Sequence, residues 1–204
     1  MRIASVNVNG VRAAFRKGMG PWLDAREVDV LALQEVRAER EDLEALLGDD
    51  WVIAHDAATA KGRAGVAIAT RIPHVRVSTK LGPASLDTAG RWIETDITTP
   101  LGNPLTIVSC YVHSGEVDSP KQAAKYEFLT VMTKRMKQLG ASDQAAVVVG
   151  DLNVGHRTLD IRNWKGNKKN SGFLPEERAY FDQWMGHEED DDYNTGTKGR
   201  FVDI

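Results

Sequence analysis

An α/β fold in a single domain is what this sequence predicts, and three observations carry it. Eight short strand-like segments recur along the 204 residues. Several of them are unbroken apolar runs, such as Val30-Leu31-Ala32-Leu33 and Ala145-Ala146-Val147-Val148-Val149, the pattern of strands buried on both faces. Segments with helical spacing fall between the strands. A chain of this length that is 42% hydrophobic can bury one sizeable core.

In chain order, strands are expected at residues 2–8, 29–34, 51–55, 64–70, 75–80, 91–97, 104–112 and 145–150. Residues 91–97 differ from the apolar runs, because Arg91-Trp92-Ile93-Glu94-Thr95-Asp96-Ile97 alternates as a half-exposed strand would. The clearest helix covers residues 120–139, with Ala124, Phe128, Val131, Met132 and Leu139 on one face. Pro120 stands near its start and Gly140 just past its end, where helices favour those residues. Shorter helices are expected at 39–47 and 175–185. In the second of these, Pro175-Glu176-Glu177 brings negative charge to the positive end of the helix dipole. No repeat or low-complexity linker divides the chain, so residues 1–204 are expected to form one domain.

Composition excludes several classes. No apolar run approaches the eighteen or so residues of a membrane span. The N-terminus enters a strand pattern directly, without the charged and apolar regions of a signal peptide. A lone cysteine, Cys110, rules out an internal disulfide and suits a cytoplasmic setting. The net charge of −3 argues against attachment to nucleic acid by bulk charge. Residues 188–204 hold six acidic and two basic groups, which leaves 24 basic and 23 acidic in the rest of the chain. Any DNA binding must therefore come from local patches. One such patch is Arg157, Arg162, Trp164, Lys165, Lys168 and Lys169, an aromatic set among cations. A solvated loop anchored by its tryptophan explains the same residues equally well. The acidic residues 188–192 lack the glycine and spacing of a calcium loop and read as a solvated segment.

Four polar groups fall where strands end: Asn7-Val8-Asn9-Gly10, Gln34-Glu35, Tyr111, and Gly150-Asp151-Leu152-Asn153. Each alone is ordinary, since Asn-Gly is a frequent turn and a glutamate often closes a strand. Together they suit phosphodiester hydrolysis, which needs a hard cation, an activated water and donors to the phosphate. Glu35 can ligate magnesium with Asn7 as a neutral oxygen ligand, and Asp151 can orient or deprotonate water. Asn153 and Tyr111 can donate to the phosphate. His156 lies close by in sequence, but a magnesium site prefers oxygen ligands, and a surface or hydrogen-bonding role is expected for it. There is no cysteine/histidine cluster for zinc, no Walker-type loop and no Gly-x-Ser-x-Gly elbow.

With these segments in order, the sequence resembles the exonuclease III type of AP endonucleases, within the endonuclease/exonuclease/phosphatase superfamily. The resemblance rests on Asn7-Val8-Asn9-Gly10-Val11-Arg12, Leu33-Gln34-Glu35, Gly62-Arg63-Ala64-Gly65-Val66-Ala67-Ile68 and Gly90-Arg91. It continues through Tyr111-Val112-His113-Ser114-Gly115-Glu116, Gly150-Asp151-Leu152-Asn153-Val154 and Gly172-Phe173-Leu174-Pro175-Glu176-Glu177-Arg178. It implies a DNase I-like, four-layered α/β sandwich of two packed sheets flanked by helices. It also implies a DNA-repair phosphodiesterase that cuts double-stranded DNA at abasic sites and 3′ ends with Mg2+, or Mn2+ in its place. Carried over by position, Asn7, Glu35 and Asp151 belong to the metal site. Tyr111, Asp151 and Asn153 belong to the catalytic set. Arg91 matches a basic position near the DNA, and Arg157, Lys165, Lys168 and Lys169 are the expected DNA contacts. The last string argues for the DNA branch over phosphoinositide, sphingomyelin or RNA substrates. No protein partner is implied.

Three departures stand out. His113-Ser114 replaces a common proline and polar residue, and Leu152 replaces a common Phe or Met. Family members also end with a Ser-Asp-His motif, whereas this chain reads Phe201-Val202-Asp203-Ile204 at its end. The histidines present (His55, His74, His113, His156 and His187) lie in no such motif. The expectation is a C-terminally incomplete fold that binds magnesium or DNA with little or no turnover.

Overall fold

The structure, a computed structural model, describes residues 1–82 and 84–204. The chain gathers into two compact units, Met1–Tyr111 with Gln144–Asp151, and Val112–Asp143 with Leu152–Ile204.

The first unit holds all the strands. They are β1 (Ile3–Asn7), β2 (Val30–Gln34), β3 (Val52–Asp56), β4 (Val66–Thr70), β5 (His74–Ser78), β6 (Trp92–Thr98), β7 (Pro104–Tyr111) and β8 (Ala145–Asp151). They form two four-stranded sheets, ordered β1-β2-β4-β3 and β5-β6-β7-β8. Each sheet is mixed. β1 runs parallel to β2 and β7 parallel to β8, while the other pairs are antiparallel. Val30, Val66 and Ile68 of one sheet meet Ile93, Ile97 and Ile107 of the other in a shared core. On the opposite face of the first sheet, Leu31, Leu33 and Ala67 pack against helices α1 (Val11–Arg16), α2 (Met19–Ala25) and α3 (Arg40–Leu47) through Val11, Leu23 and Leu43. A short α4 (Ala84–Asp87) precedes β6. Two packed sheets, the first of them covered by α1, α2 and α3, agree with the sandwich that the sequence predicts.

The second unit contains α5 (Pro120–Ala141), α6 (Trp164–Asn167) and α7 (Pro175–Met185). Ser119 caps α5 by accepting from the Gln122 amide. α5 and α7 are joined by a hydrogen bond from Trp184 Nε1 to Thr133 Oγ1 at 3.1 Å and by stacking of Tyr126 on Tyr180. Among the described residues no helix is long and apolar enough to cross a membrane.

Three expectations are corrected. Residues 92–95 are buried, not half-exposed, because β6 is an interior strand of its sheet. The polar half of its alternation is satisfied internally: Glu94 accepts from Trp92 Nε1 at 2.9 Å and from Arg76 at 3.2 Å, and Asp96 accepts from Arg76 and Thr106. Conversely, the apolar run in β8 is only half-buried, because β8 is the last strand of its sheet. Finally, of the face expected for α5, Phe128, Met132 and Leu139 are buried and Val131 is half-buried, while Ala124 is exposed and Lys125, Leu129 and Met136 complete the buried face. Cys110 is also buried and donates to the Val149 carbonyl, and burial pushes its thiol up to about 12.

Candidate active site

The two parallel strand pairs put four of the expected site residues at their carboxyl ends. Asn7 closes β1, Glu35 follows β2, and Tyr111 and Asp151 close β7 and β8. A rigid ladder therefore aims each side chain. Two glycines let the backbone do this. Gly150 has φ +152, and a Cβ there would lie 1.9 Å from the Cys110 carbonyl oxygen. Gly90 has φ +59, and a Cβ there would lie 2.4 Å from the Ala58 nitrogen. These glycines immediately precede Asp151 and Arg91.

Asn7 is the centre of the cluster. Its Nδ2 donates to Glu35 Oε1 at 2.9 Å and to Asp151 Oδ2 at 2.7 Å, while its Oδ1 accepts from the Asn9 amide at 3.0 Å. One amide thus joins two carboxylates from different sheets. In this arrangement Asn7 organises the carboxylates with its nitrogen, and its oxygen is engaged by Asn9. Arg37 forms an ion pair with Glu35 Oε2, and the Tyr111 hydroxyl is bonded to the same carboxylate. Burial pushes the Glu35 carboxyl up, but the bonds from Asn7, Arg37 and Tyr111 prevail and hold it below its ordinary value. The Tyr111 phenol is raised by burial and by Glu35. Arg91 lies 5.2 Å from the Tyr111 ring centroid, and its backbone carbonyl accepts from the Tyr111 amide at 2.9 Å. Burial lowers its guanidinium below its usual value. Its Nη1 is buried with no hydrogen-bond partner among the described residues. A buried donor left unused beside a cluster of this kind suits an anionic oxygen.

Two carboxylates held together by an amide are a hard, all-oxygen donor set. Magnesium asks for one or two carboxylates and keeps several waters, so the residues fit it. Among the described residues no group of three or more His, Cys, Asp or Glu side chains gathers as a metal site.

Asn153 belongs to the second unit. It has left-handed backbone geometry at φ +48, and its Nδ2 donates to the Val112 carbonyl at 2.9 Å. His156 is buried, stacked on Phe181 and bonded to Asp182 at 2.8 Å. Arg157 is bound to Asp160 and Asp203, each at 3.1 Å, so much of its charge is offset locally. Lys165 and Lys168 lie 5.6 and 4.6 Å from the Trp164 ring centroid. Lys169 is exposed.

The structure adds cations that sequence reading passed over. A cavity of about 250 Å3 in the first unit is lined by Arg12, Arg37, Lys61 and Arg63, and a neighbouring hollow adds Arg16. Asp42, which pairs with Arg12 at 3.5 Å, and Glu39 line the same cavity, and Arg37 pairs with Glu35, so the cationic excess rests on Arg16, Lys61 and Arg63. The only sequence signal was arginine after Asn-Gly and after Gln-Glu, in turns where exposed arginine is commonplace.

Comparison with known proteins gives this geometry its context. Residues 4–203 match the model of the Endonuclease/Exonuclease/phosphatase family. The chain belongs to that family. It is 30% identical over 192 residues to the DNA repair nuclease APEX1 of Danio rerio, covering 91% of this chain and 59% of that protein. It is 25% identical over 186 residues to an exodeoxyribonuclease of Bacillus subtilis, covering 91% of this chain and 71% of the relative. Among solved structures, an AP endonuclease from Archaeoglobus fulgidus superposes with a TM-score of 0.75 at 26% identity, over 89% of this chain and 68% of the other. The relatives it matches are named as AP endonucleases and exodeoxyribonucleases, the branch that its motifs resemble, and the two-sheet fold matches theirs. The chain spans roughly three fifths to seven tenths of the length of these relatives.

Proposed function

We propose that this chain serves a DNA-repair phosphodiesterase centre, binding one magnesium ion and the backbone of DNA at abasic sites and 3′ ends for hydrolysis. The observation that carries the reading is the Asn7 amide joining Glu35 and Asp151. Glu35 and Asp151 would hold the metal, with Asn7 keeping them at the right separation or turning its oxygen inward as a third ligand. Manganese, equally hard, would fit the same donors. Bound there, the metal supplies positive charge against the phosphate oxygens. Asp151 orients the attacking water and takes its proton. Tyr111 and the unused Nη1 of Arg91 donate to the phosphate as its negative charge grows. Asn153, two residues beyond Asp151 in the chain, supplies a further donor on the strength of the Gly-Asp-x-Asn motif.

The arginine-lined cavity favours an extended polyanion over a small phosphate ester, because successive phosphates meet successive cations. The names of the relatives point the same way: a DNA repair nuclease and an exodeoxyribonuclease.

The test is calorimetric titration of magnesium into the parent and Glu35→Ala proteins, followed by binding and incision of a duplex with one abasic-site analogue. Saturable magnesium binding lost in Glu35→Ala, with preference for the abasic duplex over an undamaged one, is expected. Magnesium affinity unchanged by Glu35→Ala would overturn the metal assignment. Equal binding of both duplexes would overturn the abasic-site assignment. Binding without incision would leave the chain a recognition protein.

A further inference from the structure

The motif residues 172–178 are left unexplained by the site just described, and so is a lysine with no exposure to solvent. They belong to one structure. Lys125 and Glu177 form an ion pair at 2.7 Å, with both side chains at 0% exposure. Oε1 of Glu177 accepts from Lys125 Nζ, from Gln122 Nε2 at 3.0 Å and from Ser171 Oγ at 3.0 Å. Oε2 accepts from the backbone amides of Gly172 at 2.6 Å and Leu174 at 3.1 Å. Burial pushes this carboxyl up, but the bonds from Lys125 and Gln122 hold it below its ordinary value, so the carboxylate form is kept.

Lys125 does one thing more. Its Nζ donates to the backbone carbonyl of Asn153 at 2.8 Å. That carbonyl belongs to a residue at φ +48, the left-handed conformation that asparagine adopts more readily than other non-glycine residues, and the lysine bond fixes the direction of its peptide oxygen. The next residues are tied to the same hub, since the Gly155 amide donates to the Gly172 carbonyl at 2.8 Å and Arg178 Nε donates to the His156 carbonyl at 2.5 Å. The segment that carries Asn153 is thus clamped to the segment built around Glu177.

We propose that Lys125, fixed by Glu177, is a positioning residue that sets the backbone at Asn153 and thereby aims the Asn153 amide for a phosphate oxygen. This rests on the phosphate role given to Asn153 above. A buried lysine is a costly way to stabilise a helix face that apolar side chains could fill. Its second bond, to the Asn153 carbonyl, is the service that an apolar residue cannot give. The string Gly172-Phe173-Leu174-Pro175-Glu176-Glu177-Arg178 then acts through Asn153: Glu177 anchors the lysine, and Arg178 holds the following turn.

The paired variant Lys125→Met/Glu177→Gln tests this. It leaves no buried charge. The side-chain oxygen left by Glu177→Gln can still accept the Gly172 and Leu174 amides, and the new nitrogen can meet Gln122 Oε1 once that amide turns over, an oxygen that is buried without a partner among the described residues. The variant should melt within about 5 °C of the parent, whereas Lys125→Met alone strands a buried carboxylate and should melt well below it. In the folded double variant, the side-chain amide resonances of Asn153 should shift or broaden relative to the parent, and affinity for the abasic duplex should fall severalfold. A purely stabilising ion pair would leave those resonances in place, and their coincidence with the parent's would overturn the proposal. Should the double variant fail to fold, the parent decides by the through-hydrogen-bond coupling between Lys125 15Nζ and the Asn153 carbonyl carbon. Its presence supports the proposal and its absence overturns it. Titrating the parent with abasic duplex and magnesium separates the two readings. Asn153 resonances that ignore the DNA overturn its phosphate role, whatever Lys125 does.

Discussion

Tyr111 and Asp151 face each other on the last rung of the parallel β7–β8 ladder. Their partnership depends on the rung before it, where Gly150 lies opposite Cys110. Gly150→Ala would drive a methyl group into the Cys110 carbonyl and impose strain at φ +152. The variant should lose at least ~1–3 kcal/mol of stability, seen as a depressed thermal midpoint. It should also bind magnesium less tightly than the parent, because Asp151 moves with its strand.

Asn7→Ala removes the amide that joins Glu35 and Asp151. The two carboxylates then repel without a shared donor. Magnesium affinity, measured by calorimetry, should drop by roughly 10–100-fold, the usual effect of losing a group that orients metal ligands. An affinity within error of the parent's would show that Asn7 does nothing for the metal.

Charge reversal distinguishes the two cationic surfaces. Arg16→Glu, Lys61→Glu and Arg63→Glu together should weaken duplex binding and flatten its salt dependence, by about 0.9 in logarithmic slope for every phosphate no longer neutralised. Lys165→Glu, Lys168→Glu and Lys169→Glu should do the same if residues 157–169 reach DNA. A triple variant that keeps the parent's slope marks its surface as a solvated face.

Stability should also respond to pH through Asp56. Burial, then the nearby Asp87 carboxylate, pushes the Asp56 carboxyl up from 3.8 to about 7. A folded value above the unfolded one means that the folded state holds the proton more tightly. The contribution of Asp56 is therefore complete below about pH 4 and is lost as pH rises through about 7. Asp56→Asn should remove this decline, which thermal melts between those limits would reveal. An identical pH profile in the variant would refute the assignment.

Leu33 and Val148 look equivalent in sequence, each inside an unbroken apolar run. In the fold they are not. Leu33 has no exposure, whereas Val148 is half-buried on the edge strand. Leu33→Ala should cost about 2–5 kcal/mol in denaturant unfolding. Val148→Thr should cost far less, and a comparable loss would mean that the β8 edge is packed more tightly than described.

That contrast shows what the sequence discloses. Apolar runs marked strands here because they are short and several are rich in valine, although a buried helix segment can carry the same run. They do not say which strand ends the sheet, because that is decided by partners distant in the chain. Alternation misled at β6 for a related reason: Glu94 is polar yet buried, and its partners Arg76 and Trp92 are visible only in three dimensions. Helices α1 and α2 escaped notice because they are only six and seven residues long, too short to show a period, and Gly20 and Pro21 fall inside α2. Asn7, Glu35, Tyr111 and Asp151 were legible because a polar residue closing an apolar strand stands out. Lys125 and Glu177 were not, since a charged residue on a helix reads as solvent-facing until its counter-ion is found on another helix. Arg12 and Arg37 were hidden by how ordinary arginine is in turns.

Cys110 carries a practical consequence. It is the chain's lone cysteine, it is buried, and its thiol is pushed up to about 12. At neutral pH almost none of it is thiolate, the form that attacks maleimides and iodoacetamides. A cysteine introduced on the surface, at Leu159 or Lys169 for instance, would be the single fast-reacting thiol in the molecule. Fluorophores or spin labels placed there would report DNA docking with no background substitution and no need to remove the native residue.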